Sequence, residues 1–317
     1  MRIAILDDLE KSALSSADWG VLPDVEELVV LDRHVADRDE LSGLLAGFDV
    51  VVAQRERTTF DRDLLERLPD LRLLVTTGPR NAAIDVKACE QLGITVSATT
   101  NEGSPVVEQA WALILGALRH VPEHDASMRS GGWAPRTGRG LEGRTLGLLG
   151  LGKTGTRMAR IGAAMGMRVI AWSTNLTAER AAERGAERVE EDVLYAESDV
   201  LSVHLLLSGR TRGLVGERQL RLMKPDALLV NTSRGPIVDE EALLRACREG
   251  WIGGAALDVY NVEPLPAEHP LRREPSILLA PHTGYVTAEN YRAWFGDVVD
   301  DIAAWQAGAP VRLLTSS

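Results

Sequence analysis

Cysteine is almost missing: Cys89 and Cys247 are the only two in 317 residues, far apart and each inside an apolar helical pattern. That spacing excludes a disulfide framework and a C-x-x-C metal site, and two buried, reduced thiols are expected instead. Long apolar runs are missing as well. None approaches the roughly 18 to 20 residues that span a bilayer, and the opening MRIAIL reads as a strand, with no secretory leader in front of it. Basic charge is in deficit, with 35 Lys and Arg against 46 Asp and Glu and a net charge of −11. This balance disfavours nucleic acid and anionic membrane surfaces as partners. No low-complexity tract or internal repeat stands out. Together these absences point to a cytoplasmic protein whose ligands are small molecules.

What is present is an ordinary globular composition, 45% apolar and 26% charged, in a chain long enough for two α/β domains of about 100 to 200 residues each. Up to about residue 98, β-type runs alternate with amphipathic segments. The runs are RIAIL (2–6), ELVVL (27–31), DVVVA (49–53), LRLLVT (71–76) and ITVS (94–97), with DRDLLERL and IDVKACEQL among the helical patterns. Such alternation predicts a parallel sheet covered by helices. A long helix is expected from SPVVEQAWALILGALRHV, with Ser104 as N-cap and Pro105 at its first position. After a Gly- and Arg-rich loop at 130–143, six further runs follow: TLGLLG (145–150), RVIAW (168–172), VLSVHLLL (200–207), ALLVN (227–231), GAALDV (254–259) and SILLA (276–280). Six strands separated by helical patterns suit a doubly wound nucleotide-binding domain. The last segment, AENYRAWFGDVVDDIAAWQAG, reads as a helix that returns to the first domain.

Gly150, Gly152 and Gly155 form G-x-G-x-x-G. Alone the motif is weak, but here it follows an apolar strand, opens a helix and has a second strand at the proper distance. The first glycine permits the tight turn, the second a close approach to a pyrophosphate and the third helix-on-strand packing, while the helix N-terminus supplies N–H donors. Lys153 and Thr154, inside the loop, are placed beside the phosphates. At the tip of the next strand an NAD site ordinarily carries an acid for the ribose hydroxyls, and Ser173 stands there instead, followed by Thr174 and Asn175. These residues offer hydrogen bonds without repelling a 2′-phosphate. No Arg follows at once, the nearest downstream being Arg180. Use of both NAD and NADP is therefore expected.

Ligands of open α/β sheets sit beyond the carboxyl ends of the strands. Three polar residues fall there: Arg234 in VNTSRGPIVD, Glu263 in DVYNVEPLP and His282 in APHTGY. Singly, each has a plain alternative as a turn residue, a solvated carboxylate or a sheet-edge histidine. Jointly they form a chemical set. An Arg clamps a carboxylate, a His moves a proton near neutral pH, and a Glu orients that His. The set fits hydride transfer at a carbonyl or carbinol carbon beside a carboxylate.

With GRTLGLLGLGKTG, LLVNTSRGPIVDEEALLRA, GAALDVYNVEPLP and APHTGYVT in view, the sequence resembles the D-isomer-specific 2-hydroxyacid dehydrogenases across essentially its whole length. The resemblance implies two Rossmann-like doubly wound domains. A flavodoxin-like substrate domain would be formed by residues 1–98 and 287–317, with an NAD(P)-binding domain at 99–286 inserted into it. It implies hinge closure that excludes water, and a homodimer built on the long helix and the following loop. It implies Arg234 as carboxylate anchor, Glu263 as orienter and His282 as acid/base. It also places Asp258 near the nicotinamide carboxamide and Thr232 and His204 along the cofactor cleft; for Asp258 and His204, capping of strand ends is the alternative.

Departures bear on the substrate. In TTGPRNAAID the family pattern G-x-G-x-D-N-I-D is met by Gly78, Ile84 and Asp85 but not by Arg80, Ala82 and Ala83. Arg80 either narrows the site, adds a second positive charge or pairs with a neighbouring acid. Arg55 and Arg57 follow the third strand, where one of them would face an anionic substrate. The reaction expected is interconversion of a small 2-oxo acid and its D-2-hydroxy acid. A phosphoglycerate dehydrogenase-type activity is the alternative within the class, although the chain ends at Ser317 without the C-terminal regulatory domain some of those enzymes carry. A dinucleotide-sensing, corepressor-like binding protein is the alternative from another class, which the intact Arg, Glu and His set argues against.

Overall fold

The computed structural model describes residues 1–101, 103 and 105–316, and the chain divides into two compact units, Met1–Gly103 with Val286–Ser317, and Ser104–Tyr285. In the first unit the alternation becomes β1 (Arg2–Ile5), α1 (Ala13–Ser16), β2 (Glu27–Val30), α2 (Arg38–Leu44), β3 (Val50–Ala53), α3 (Arg62–Glu66), β4 (Leu73–Thr76), α4 (Val86–Gln91) and β5 (Thr95–Ala98). All pairings are parallel and the strand order is β2-β1-β3-β4-β5, the flavodoxin-like arrangement. Three helices start alike. Asp37, Asp61 and Asp85 accept the N–H three residues on, at 2.8, 3.1 and 2.9 Å, which satisfies one orphan donor at each N-terminus.

The second unit contains α5 (Pro105–Leu118), α6 (Val121–Arg129), β6 (Thr145–Leu149), α7 (Lys153–Ala164), β7 (Arg168–Trp172), α8 (Ala178–Glu183), β8 (Glu187–Arg188), α9 (Glu191–Glu197), β9 (Val200–Val203), α10 (Glu217–Leu222), β10 (Leu228–Asn231), α11 (Glu240–Arg248), β11 (Gly254–Leu257) and β12 (Ile277–Leu279). Its parallel sheet runs β12-β11-β10-β9-β6-β7-β8. The order reverses between β6 and β9, the switch point where doubly wound sheets bind dinucleotides. Both fold expectations hold: two parallel, doubly wound α/β sheets.

Three details differ from the sequence reading. The run 200–207 leaves the sheet after Val203, and Leu206 is 85% exposed. A two-residue strand, β8, extends the sheet to seven strands. The long helix ends at Leu118, and α6 restarts after His120, whose φ of +52° cannot continue a helix. The expected N-cap Ser104 lies outside the described residues.

The last helix, α12 (Ala288–Gln306), closes the first unit. Its Tyr291, Phe295, Val298 and Ile302 pack with Ile3, Ile5, Val50, Val52, Leu73 and Val75 on one face of the sheet. The alternate residues Ala4, Val51 and Leu74 join Phe60, Leu64 and Ala88 on the other. Strands buried on both faces explain why these runs are continuously apolar. Among the described residues no helix is long and apolar enough to cross a membrane.

Candidate active site

The glycine loop has the geometry that its sequence demands. Gly150 has φ of +101°, and a Cβ there would lie 2.7 Å from the His204 carbonyl oxygen, across the switch point. A Cβ on Gly155 would meet the Gly150 carbonyl oxygen at 2.3 Å. Gly152 differs: it is the exposed N-cap of α7, and its Cβ position faces open space. The first and third glycines are therefore required by packing within the protein, and the second leaves a cradle against free helix N–H groups. Lys153 is exposed and Thr154 half-buried beside it. The loop is tied to β7 by the Gly150 N–H bond to the Trp172 carbonyl, 2.9 Å, so half-buried Ser173 and exposed Thr174 stand next to it. Arg184, which sequence reading passed over, donates to the Leu151 carbonyl inside the loop.

His282 and Glu263 meet as a pair. Nδ1 of His282 lies 2.5 Å from Oε2 of Glu263, with side chains 24% and 33% exposed. An ionised carboxylate only accepts, so Nδ1 carries the hydrogen and Nε2 is left for other chemistry. Oε1 of Glu263 accepts from the Tyr260 N–H at 2.7 Å. Arg234 leaves β10 through Thr232 and Ser233, and its carbonyl accepts from the Asn231 side chain at 2.9 Å. A Cβ on Gly235 would lie 2.1 Å from the Tyr260 carbonyl, so the Arg234 and Glu263 loops rest against each other backbone to backbone.

Asp258 is 1% exposed and both of its oxygens are engaged. It accepts from the N–H groups of Thr283 and Gly284 at 2.9 and 2.8 Å, with Gln109 Nε2 at 3.4 Å. Burial raises its pKa above the ordinary carboxylate value, opposed by these bonds and by the nearby His282. Asp258 thus grips the backbone that follows His282. His204 bonds to Ser202 Oγ through Nε2 at 2.9 Å, and burial pushes its pKa down to about 4, which keeps it neutral. Thr232 is 7% exposed, and its hydroxyl has no hydrogen-bond partner among the described residues. Such a buried hydroxyl is costly unless something pairs it. With the cradle at Gly152, it is what a dinucleotide site requires, so the residues present fit NAD(P).

In the first unit, Gly78 has φ of +83° and donates its N–H to Thr99 Oγ1 at 2.6 Å. The Arg55 guanidinium lies directly over it, since a Cβ on Gly78 would fall 1.9 Å from Nη1, and it also lies 5.9 Å from the Trp294 ring. Arg80 is exposed. Arg57 is engaged internally: it pairs with Glu10 at 2.7 Å and donates to the Asp7 carbonyl at 2.6 Å. Burial pushes Glu10 up, but Arg57 and Tyr291 outweigh it and hold its carboxyl below the ordinary value. Arg55 and Gly78 come together, while Arg57 pairs with Glu10. Cys89 and Cys247 are free, both with pKa raised by burial to about 11. Among the described residues no group of His, Cys, Asp or Glu could hold a metal ion.

Residues 111–284 match the family described as "D-isomer specific 2-hydroxyacid dehydrogenase, NAD binding domain". A glyoxylate reductase of Aeropyrum pernix is 46% identical over 239 residues, 72% of this chain and 71% of its own. A hydroxypyruvate reductase of Thermotoga maritima is 33% identical over 308 residues, 95% of this chain and 97% of its own. Among solved structures, a phosphoglycerate oxidoreductase from Vibrio cholerae superposes with a TM-score of 0.92 at 37% identity, covering 98% of this chain and 100% of that one. By family match, whole-length relatives and a shared fold, the chain belongs to the D-isomer-specific 2-hydroxyacid dehydrogenases and is an NAD(P)-dependent oxidoreductase.

Proposed function

We propose that the protein reduces a small 2-oxo acid to its D-2-hydroxy acid and catalyses the reverse oxidation, in the cytoplasm and as a homodimer. The observation that carries the reading is the His282–Glu263 pair, with the loop of Glu263 packed against the one bearing Arg234. When bound, the nicotinamide supplies or takes the hydride at the substrate carbon. Arg234 holds the substrate carboxylate by charge-assisted bonds. His282, with Nδ1 fixed on Glu263, presents Nε2 to the substrate oxygen, gives it a proton in reduction and takes one in oxidation. Glu263 fixes the orientation of the imidazole.

For the cofactor, the N–H groups after Gly150 and Gly152, with Lys153 and Thr154, face the pyrophosphate, Gly155 lets α7 approach, and Ser173 and Thr174 face the adenosine ribose. Thr232, His204 and Asp258 line the nicotinamide end. Ser173 lacks the charge that excludes a 2′-phosphate, which supports use of both NADH and NADPH. Gly78 and Arg55 form the substrate-binding surface of the first unit, with Arg80 on the same loop; Arg57, committed to Glu10, serves it indirectly. The exposed Val121, Met128 and Trp133 (56, 52 and 78%) on α6 and the loop after it support a self-association surface.

The test is a panel of glyoxylate, hydroxypyruvate, pyruvate, phenylpyruvate and phosphohydroxypyruvate with each cofactor. Oxidation of NAD(P)H by one of the unphosphorylated acids supports the reading. Silence with all five contradicts it, and turnover confined to phosphohydroxypyruvate moves it to the phosphoglycerate class.

A further inference from the structure

The loops bearing Arg234, Glu263 and His282 leave three different strands, and they meet at one residue, Tyr260. The Arg234 loop rests on its backbone, with the Cβ position of Gly235 only 2.1 Å from the Tyr260 carbonyl carbon and oxygen. Its N–H occupies Oε1 of Glu263 at 2.7 Å, which leaves Oε2 for His282. Its phenol is buried, the residue being 7% exposed, and lies 2.7 Å from the Ala280 carbonyl and 3.2 Å from the Leu257 carbonyl. A phenol has one hydrogen, so the shorter bond, to Ala280, takes most of it. Burial raises the pKa of the Tyr260 phenol, so the group keeps its hydrogen and stays a donor.

Ala280 is two residues before His282, and His282 has φ of +56°. That left-handed conformation is uncommon for a residue with a side chain and persists only where its surroundings hold it. Asp258 holds the residues that follow, through Thr283 and Gly284. On the preceding side Ala280 is held twice: its own N–H donates to the Leu257 carbonyl at 2.8 Å, and its carbonyl accepts from the Tyr260 phenol.

We propose that Tyr260 is a positioning residue whose phenol, by adding a second tie from the Ala280 carbonyl to the chain after β11, sets the His282 imidazole against Glu263. The inference rests on the reading of His282 as the acid/base. Tyr260→Phe deletes one oxygen and leaves the backbone contacts to Glu263 and Gly235. Its kcat for reduction falls roughly tenfold, the ~1.4 kcal/mol scale of one net hydrogen bond. The KM for the 2-oxo acid and the Kd for NADH stay within about twofold. In a His282→Ala background the same substitution adds no further loss, because the residue through which it acts is gone.

A kcat within twofold of wild type overturns the proposal. So does a rise in KM in place of the fall in kcat, or an equal tenfold loss in the His282→Ala background. Unfolding of Tyr260→Phe below the assay temperature also overturns it, by making the phenol a determinant of the fold. If His282→Ala alone retains turnover, the acid–base reading fails whatever Tyr260 does, so the two failures are told apart.

Discussion

Thr232→Val gives a prediction of opposite sign in two assays. The side chains match in shape, Thr232 is 7% exposed, and its hydroxyl finds no partner among the described residues. Leaving a buried polar group unpaired costs about 1–3 kcal/mol, so removal of the hydroxyl stabilises the cofactor-free protein by about 1–2 kcal/mol. For a unit of this size that is a rise in unfolding midpoint of roughly 2–8 °C. With cofactor the sign reverses. If the hydroxyl is a nicotinamide-end ligand, its loss removes one hydrogen bond of about 1 kcal/mol, and the Kd for NADH rises roughly fivefold. The assays are urea or thermal unfolding without cofactor and fluorescence titration with NADH. A destabilised free protein would mean that water satisfies the hydroxyl, and an unchanged Kd would mean that the cofactor does not touch it; either outcome refutes the reasoning.

Ser173→Asp restores an acid beside the ribose and is expected to shift the ratio of kcat/KM toward NADH over NADPH by roughly 10- to 100-fold, on the ~1–3 kcal/mol scale of charged contacts. Wild-type discrimination beyond about a thousandfold would already refute dual use. Asp301 on α12 is fully buried; one oxygen pairs with Arg312 at 2.9 Å and the other has no partner among the described residues. Burial pushes its pKa up to about 7, Arg312 opposes this, and Asp297 and Asp300 add to it. The folded protein therefore holds this proton more tightly than the unfolded chain, and its contribution to stability is lost as pH rises from about 4 through 7. At most this amounts to about 4 kcal/mol. Asp301→Asn does not titrate, so in urea unfolding its gain over wild type should grow between pH 4 and 7; a pH-independent difference would refute the assignment.

The glycine loop was legible because its chemistry is written in the backbone: only glycine tolerates the φ of Gly150 or the contact at Gly155. Arg234, Glu263 and His282 were legible as a set because a doubly wound sheet gathers residues at its strand ends. The pairing of Arg57 with Glu10 was not, since two side chains 47 positions apart leave no periodic trace. Nor did DVY reveal that Asp258 and Tyr260 grip the chain on either side of His282, because their partners are backbone groups that every residue carries. The break at His120 was signalled only by Pro122, and β8 is too short for alternation to register.

The measurement closest to the central claim is the turnover of His282→Ala in the reductive direction, with the NADH Kd determined on the same preparation. The account predicts kcat lower by roughly 10² to 10⁴, the scale of positioned acid–base catalysis, with NADH affinity within a few fold of wild type. Near-normal turnover at saturating 2-oxo acid would contradict it.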